Sequence, residues 1–128
     1  MSNRRQCSVY VVDDEVLIAR TLASILTDHG FEVTWFTDPL EVLALIGQGS
    51  PAVLVSDVVM PGITGIELAM KVREKCPACR IFLMSALNSV EDLMDQAGAQ
   101  ALEVFLLHKP FHPDVLLHAM QVPNDGAQ

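Results

Sequence analysis

Ala52-Val53-Leu54-Val55-Ser56-Asp57-Val58-Val59-Met60-Pro61-Gly62 is a valine-rich run that ends in an acid and is then stopped by a Pro-Gly pair. β-Branched residues favour a buried strand and Pro-Gly forces a turn, so this stretch delivers Asp57 from a strand to a loop. In a parallel α/β sheet, ligands bind at the carboxyl ends of strands. An Asp that merely opens a turn would stand alone, but Ser8-Val9-Tyr10-Val11-Val12 is a second strand-like run, and it ends in Asp13-Asp14-Glu15. Asp14 or Glu15 can complement the dipole of a following helix. Carboxylates converging with Asp57 nevertheless repel one another unless a cation lies among them. An all-oxygen donor set suits a hard ion such as Mg2+.

Outward from these two acids, strand and helix patterns alternate five times. Glu15 to His29 carries Leu17, Ile18, Leu22, Ile25 and Leu26 at helical spacing, with Gly30 expected as its C-cap. Phe31 to Phe36 reads as a strand, and Asp38-Pro39-Leu40-Glu41 combines an N-cap, a first-position proline and a capping-box glutamate. Thr64-Gly65-Ile66-Glu67 is a second capping-box pattern, opening a helix to Lys75. Arg80 to Met84 is a fourth strand that stops at Ser85-Ala86, Ser89 is placed to cap a fourth helix, and Val104 to Leu107 is a fifth strand ending at His108-Lys109-Pro110-Phe111. Pro113 opens a short last helix.

Composition bounds the function. A chain of 128 residues, 51% hydrophobic, is one domain able to bury a full core. Its net charge of -8, with only 8 Lys and Arg scattered along it, argues against direct nucleic-acid binding. No apolar run is long enough for membrane insertion, and Arg4-Arg5 is followed by no signal-like apolar segment, so the expected location is cytoplasmic. Cys76-Pro77-Ala78-Cys79 has redox spacing, but Pro77 ends a helix there, whereas a reactive pair opens one; the expected structure is a helix-exit turn.

Alternating strands and helices imply right-handed crossovers and a doubly wound α/β sheet. Asp13, Asp14, Asp57, Ser85 and Lys109 then gather along one sheet edge, placing acids, a hydroxyl and a base around a crevice. With Val11-Val12-Asp13-Asp14-Glu15, Asp57 to Gly62 followed by Gly65, Ser85-Ala86, and Lys109-Pro110-Phe111, the chain resembles the receiver domain of two-component response regulators over nearly its whole length. The resemblance implies a flavodoxin-like (βα)5 fold of sheet order 2-1-3-4-5, a receiver domain over residues 1–122 and a polar tail at 123–128.

It also implies a phosphoacceptor module rather than an enzyme. Asp57 accepts the phosphoryl group from a histidine kinase or histidine phosphotransfer protein, with Ser85 and Lys109 assisting. Asp13, Asp14, Asp57 and the Val59 backbone carbonyl are the implied Mg2+ ligands, and the Lys109-Pro110 bond is expected to be cis. Val59 and Leu87 border the path of a water attacking the phosphoryl group. The segment from Ser85 to Lys109 is longer than usual for the family, and Leu106 stands where an aromatic switch residue is usual. Phe105 could substitute only if a bulge shifted the strand register. Glu91, Asp92, Asp95 and Glu103 give the fourth helix and fifth strand an acidic face. His108, His112 and His118 lack matching metal ligands.

Three alternatives accompany this reading: a receiver piece of a larger regulator or hybrid kinase, a pseudo-receiver that only binds partners, and a flavin-binding protein of similar topology. The last would need a Ser/Thr-rich phosphate loop where Asp13-Asp14-Glu15 stands.

Overall fold

Ten elements alternate along the chain: β1 (Ser8–Val12), α1 (Val16–Asp28), β2 (Glu32–Phe36), α2 (Pro39–Leu45), β3 (Val53–Asp57), α3 (Gly65–Lys75), β4 (Arg80–Ser85), α4 (Val90–Gln96), β5 (Phe105–His108) and α5 (Pro113–Gln121). This computed structural model describes residues 7–121, so the boundary expected at 122 and the tail at 123–128 lie outside the described residues. The strands form one parallel sheet of order β2-β1-β3-β4-β5, the doubly wound arrangement expected. Among the described residues no helix is long and apolar enough to cross a membrane.

Period-two alternation sorts the strand side chains between two cores. Val9, Val11, Val53, Val55, Phe82 and Met84 meet α1 and α5 through Leu22, Leu26, Leu116 and Leu117. On the other face Val12, Leu54, Ile81 and Leu83 meet α2, α3 and α4 through Val42, Ile66, Val72 and Met94. Every residue of the central strand β3 is buried, which explains its near-continuous apolar run.

Local chemistry sets the helix ends, with small departures from expectation. The C-cap of α1 is His29, and Gly30 lies one residue beyond it at φ +95°. That conformation lets the amides of Gly30 and Phe31 return to the carbonyls of Thr27 and Leu26, a Schellman closure that a Cβ would disfavour. Asp38 caps α2 by accepting from the Leu40 amide at 2.9 Å, but the reciprocal capping box forms only at α3, between Thr64 and Glu67. Ser89 occupies the N-cap position of α4 without a side-chain cap bond. β2 begins at Glu32, β5 begins at Phe105, and β4 includes Ser85.

Cys76 is the C-cap of α3, and the Cys79 amide bonds its carbonyl at 3.0 Å, forming the helix-exit turn. Both cysteines are free and buried, and burial pushes the Cys79 thiol up to about 12. The thiolate is the reactive form. A thiol reagent at neutral pH is therefore expected to leave Cys76 and Cys79 unmodified in the native protein and to modify both in denaturant. Rapid native labelling of Cys79 would contradict this.

Candidate functional site

Three loops at the carboxyl ends of β1, β3 and β5 bring residues far apart in the chain into contact. Lys109 reaches across the sheet edge, its Nζ 3.1 Å from Asp13 Oδ2 and 3.3 Å from Asp57 Oδ1. Asp13 is fully buried and Asp57 nearly so, whereas Asp14 is exposed. Carboxylate oxygens of Asp13, Asp14 and Asp57 lie within 4.8 Å of one another.

Hydrogen bonds fix the orientation of each acid. Asp13 Oδ1 accepts from the Glu15 amide at 2.9 Å, which turns the chain out of β1 and into α1. Asp57 Oδ1 accepts from the Val58 amide at 3.1 Å, and the Ser56 hydroxyl donates to the Asp57 carbonyl at 2.9 Å. Ser56 was not singled out from sequence; the available signal was one polar residue inside an apolar strand, immediately before the acid. Gly65 is required by close approach. Its amide donates to the Val58 carbonyl at 2.8 Å, and a Cβ there would run into the Asp57 backbone carbonyl, so only glycine lets α3 start against the end of β3.

The charges are strongly coupled. Burial raises the Asp57 carboxyl above its ordinary range, Asp13 and Asp14 raise it further, and the Lys109 ammonium opposes both. Burial would lower Lys109, but its hydrogen bond and ion pairs with Asp13 and Asp57 outweigh that and hold it above its usual value. Three carboxylates beside one ammonium leave an excess of negative charge, and two of the three acids, Asp13 and Asp57, are buried. A divalent, oxygen-seeking cation fits that deficit, and the exposed Asp14 side leaves room for the water ligands Mg2+ retains.

Ser85 ends β4 beside this group, buried, its Oγ accepting from the Leu87 amide at 2.9 Å and keeping its own O–H free to donate. The Ser85 carbonyl in turn accepts from the Lys109 amide at 2.8 Å, so the two strand ends are tied together. The Lys109-Pro110 bond is cis.

The register of β5 is regular, with Phe82 opposite Phe105 and Leu83 opposite Leu106. Phe105 therefore faces α1 and α5, stacked on Phe82 at 4.7 Å, and Leu106 occupies the position facing α4. No bulge brings the ring across. The acidic residues Glu91, Asp92, Asp95 and Glu103 are all exposed, and among the described residues His112 pairs only with Asp114, at 3.6 Å.

Residues 9–121 match the family model described as response regulator receiver domain. The response regulator MprA of Mycolicibacterium vanbaalenii is 32% identical over 125 residues, covering 93% of this chain and 53% of that protein. The chemotaxis response regulator CheY4 of Vibrio cholerae superposes with a TM-score of 0.78 at 32% identity, covering 91% of this chain and 97% of that one. The response regulator TrrA of Thermotoga maritima, solved in complex with Mg2+-BeF, superposes with a TM-score of 0.75 at 27% identity, covering 88% and 95%. The chain spans between 22% and 53% of the length of the first curated relatives it matches.

Proposed function

We propose, for a chain that belongs to the response regulator receiver domain family, that Asp57 is the phosphoacceptor of a two-component phosphorelay and that Asp13, Asp14, Asp57 and the Val59 carbonyl hold Mg2+. Members of this family are signalling modules phosphorylated by histidine kinases, not enzymes in the ordinary sense. The observation that carries the proposal is the single ammonium of Lys109 bridging two buried carboxylates beside a third. The receiver unit is taken to extend over residues 1–122.

In the transfer, an Asp57 carboxylate oxygen attacks phosphorus of a phosphohistidine on a kinase or phosphotransfer protein. The new O–P bond forms as the P–N bond breaks, and the leaving imidazole keeps the electron pair and takes a proton. Phosphoryl transfer asks the protein chiefly to position groups and neutralise charge. The bonds of Oδ1 to the Val58 amide and Lys109 hold the nucleophile in one orientation. Lys109, released from the unphosphorylated carboxylate, supplies positive charge to a phosphoryl oxygen, and the Ser85 O–H donates to another. Mg2+, when bound, supplies the remaining charge neutralisation at the phosphoryl oxygens.

The test is phosphoryl uptake from a small-molecule phosphodonor, read by intact mass. One added group is expected with Mg2+ and a loss of at least tenfold in rate on chelation; metal-independent uptake would overturn the assignment. A pseudo-receiver would gain no mass under either condition.

A further inference from the structure

Ser56 is the one polar residue between Val53 and Asp57, and it is fully buried. Its neighbours in the sheet register are Val12 on β1 and Leu83 on β4, both part of the core that faces α2, α3 and α4. A hydroxyl carried into such surroundings is costly unless it is bonded. Alanine or valine would fill the same face without that cost, so packing alone does not account for it.

The Ser56 Oγ donates to the Asp57 carbonyl at 2.9 Å. That carbonyl and the Val58 amide are the two ends of one planar peptide group, so fixing one end fixes the other. At the far end the Val58 N–H is shared between two acceptors, the Met84 carbonyl at 3.0 Å and Asp57 Oδ1 at 3.1 Å. The hydroxyl thus holds the group whose amide holds the carboxylate. α3 packs against the same carbonyl, where a Cβ on Gly65 would run into it. Tilting the plane would turn the N–H away from Oδ1 and take from the carboxylate its neutral donor.

The two partners of Oδ1 differ in permanence. Lys109 Nζ stands at 3.3 Å, but it also reaches Asp13 at 3.1 Å, and in the proposed transfer it moves to a phosphoryl oxygen. The Val58 amide is backbone and stays. Displacing a reacting atom by about 1 Å can cost about 100-fold in rate, so the group that fixes this amide bears on the chemistry. We propose that Ser56 is a positioning residue for the phosphoacceptor: through the Asp57–Val58 peptide group, its hydroxyl keeps the Asp57 carboxylate in the orientation from which it attacks. The inference rests on the reading of Asp57 as the phosphoacceptor, and Ser56 itself takes no part in bond making.

Two measurements test it, and the first needs neither metal nor phosphodonor. In the full chain with chelator, three-bond NMR couplings of Asp57 report the rotamer of its side chain. One rotamer is expected in the wild type and a mixture in Ser56→Ala, whose peptide group has lost its tether. The second is phosphoryl uptake from a small-molecule phosphodonor with Mg2+, read by intact mass. Ser56→Ala is expected to be about tenfold slower than the wild type at equal donor concentration. Ser56→Thr keeps the hydroxyl and is expected to restore the single rotamer and most of the rate. A serine needed only for stability would lower the melting temperature of Ser56→Ala and leave rotamer and rate unchanged. That result would overturn the proposal, as would a folded Ser56→Thr protein as slow as Ser56→Ala. If the wild type itself gains no phosphoryl group, the reading of Asp57 fails, and the rotamer still decides whether Ser56 orients the carboxylate.

Discussion

Asp57→Asn is expected to take up no phosphoryl group and, without divalent metal, to melt a few degrees above the wild type. The first result follows because a side-chain amide has the shape of the carboxylate and can still accept from the Val58 amide, but is no nucleophile. The second follows from the charge. Burial, then Asp13 and Asp14, raise the Asp57 carboxyl against the opposing pull of Lys109. An acid whose folded value is raised stabilises the fold only when protonated. That contribution is fully present below the unfolded value and is lost as pH rises through the folded value, so at neutral pH the ionised group is a net cost.

Removing the charge should recover on the order of 1 kcal/mol, which is worth a few degrees in a domain of this size. The Lys109–Asp13 contact at 3.1 Å survives the substitution. Calorimetry at neutral pH with chelator, and again with excess Mg2+, checks the point. The gain should shrink or reverse with metal, because only the wild type offers all three carboxylates to the ion. A variant that is phosphorylated like the wild type, or one that melts lower than wild type under chelation, would contradict the assignment of Asp57.

The acyl phosphate of the wild type is expected to be long-lived, and Val59→Asn with Leu87→Glu to shorten its life about tenfold. Hydrolysis needs water in line with the Asp57 O–P bond, and the resemblance to the receiver family implies that Val59 and Leu87 border that approach. Both are large apolar side chains in unusual exposure, 58% and 42%. Neither side chain can hydrogen-bond a water, and a branched apolar group on that approach would crowd one. A positioned water in place of an unpositioned one is worth about 1.4 kcal/mol of barrier for each tenfold in rate. Timing phosphoryl loss in the two single variants and the double variant separates the contributions. An unchanged or slower rate in the double variant would show that these side chains pack against their loops and do not govern water.

What the sequence determined by itself is whatever depends on neighbours within a few residues. Apolar runs marked the five strands, Asp38-Pro39 and the Thr64/Glu67 box marked two helix starts within a residue, and a glycine after His29 marked a helix end. Even there the last residue of each element was set by packing: Ser85 continues β4 because its backbone pairs with His108 on β5. The site's cast of Asp13, Asp14, Asp57, Ser85 and Lys109 was legible because strand ends in a parallel sheet must share an edge. Their contacts were not, because Lys109 meets Asp13 at a sequence separation of 96 and only the order β1-β3-β4-β5 sets that distance.

The tertiary structure alone decided three further points. It assigned Leu106 to the α4 face and Phe105 to the other, since a regular register leaves no freedom to exchange them. It gave Gly65 its reason, the backbone of Asp57 lying where a side chain would be. It gave Arg73 and Arg80 their separate acceptors, because Glu103, Ala119 and Met120 come from distant loops and helix ends. Periodicity and capping act over one or two turns of chain, whereas side-chain contact is settled by sheet order, register and the angle at which each helix crosses the sheet. Those quantities are collective properties of the packed core, and no local pattern encodes them.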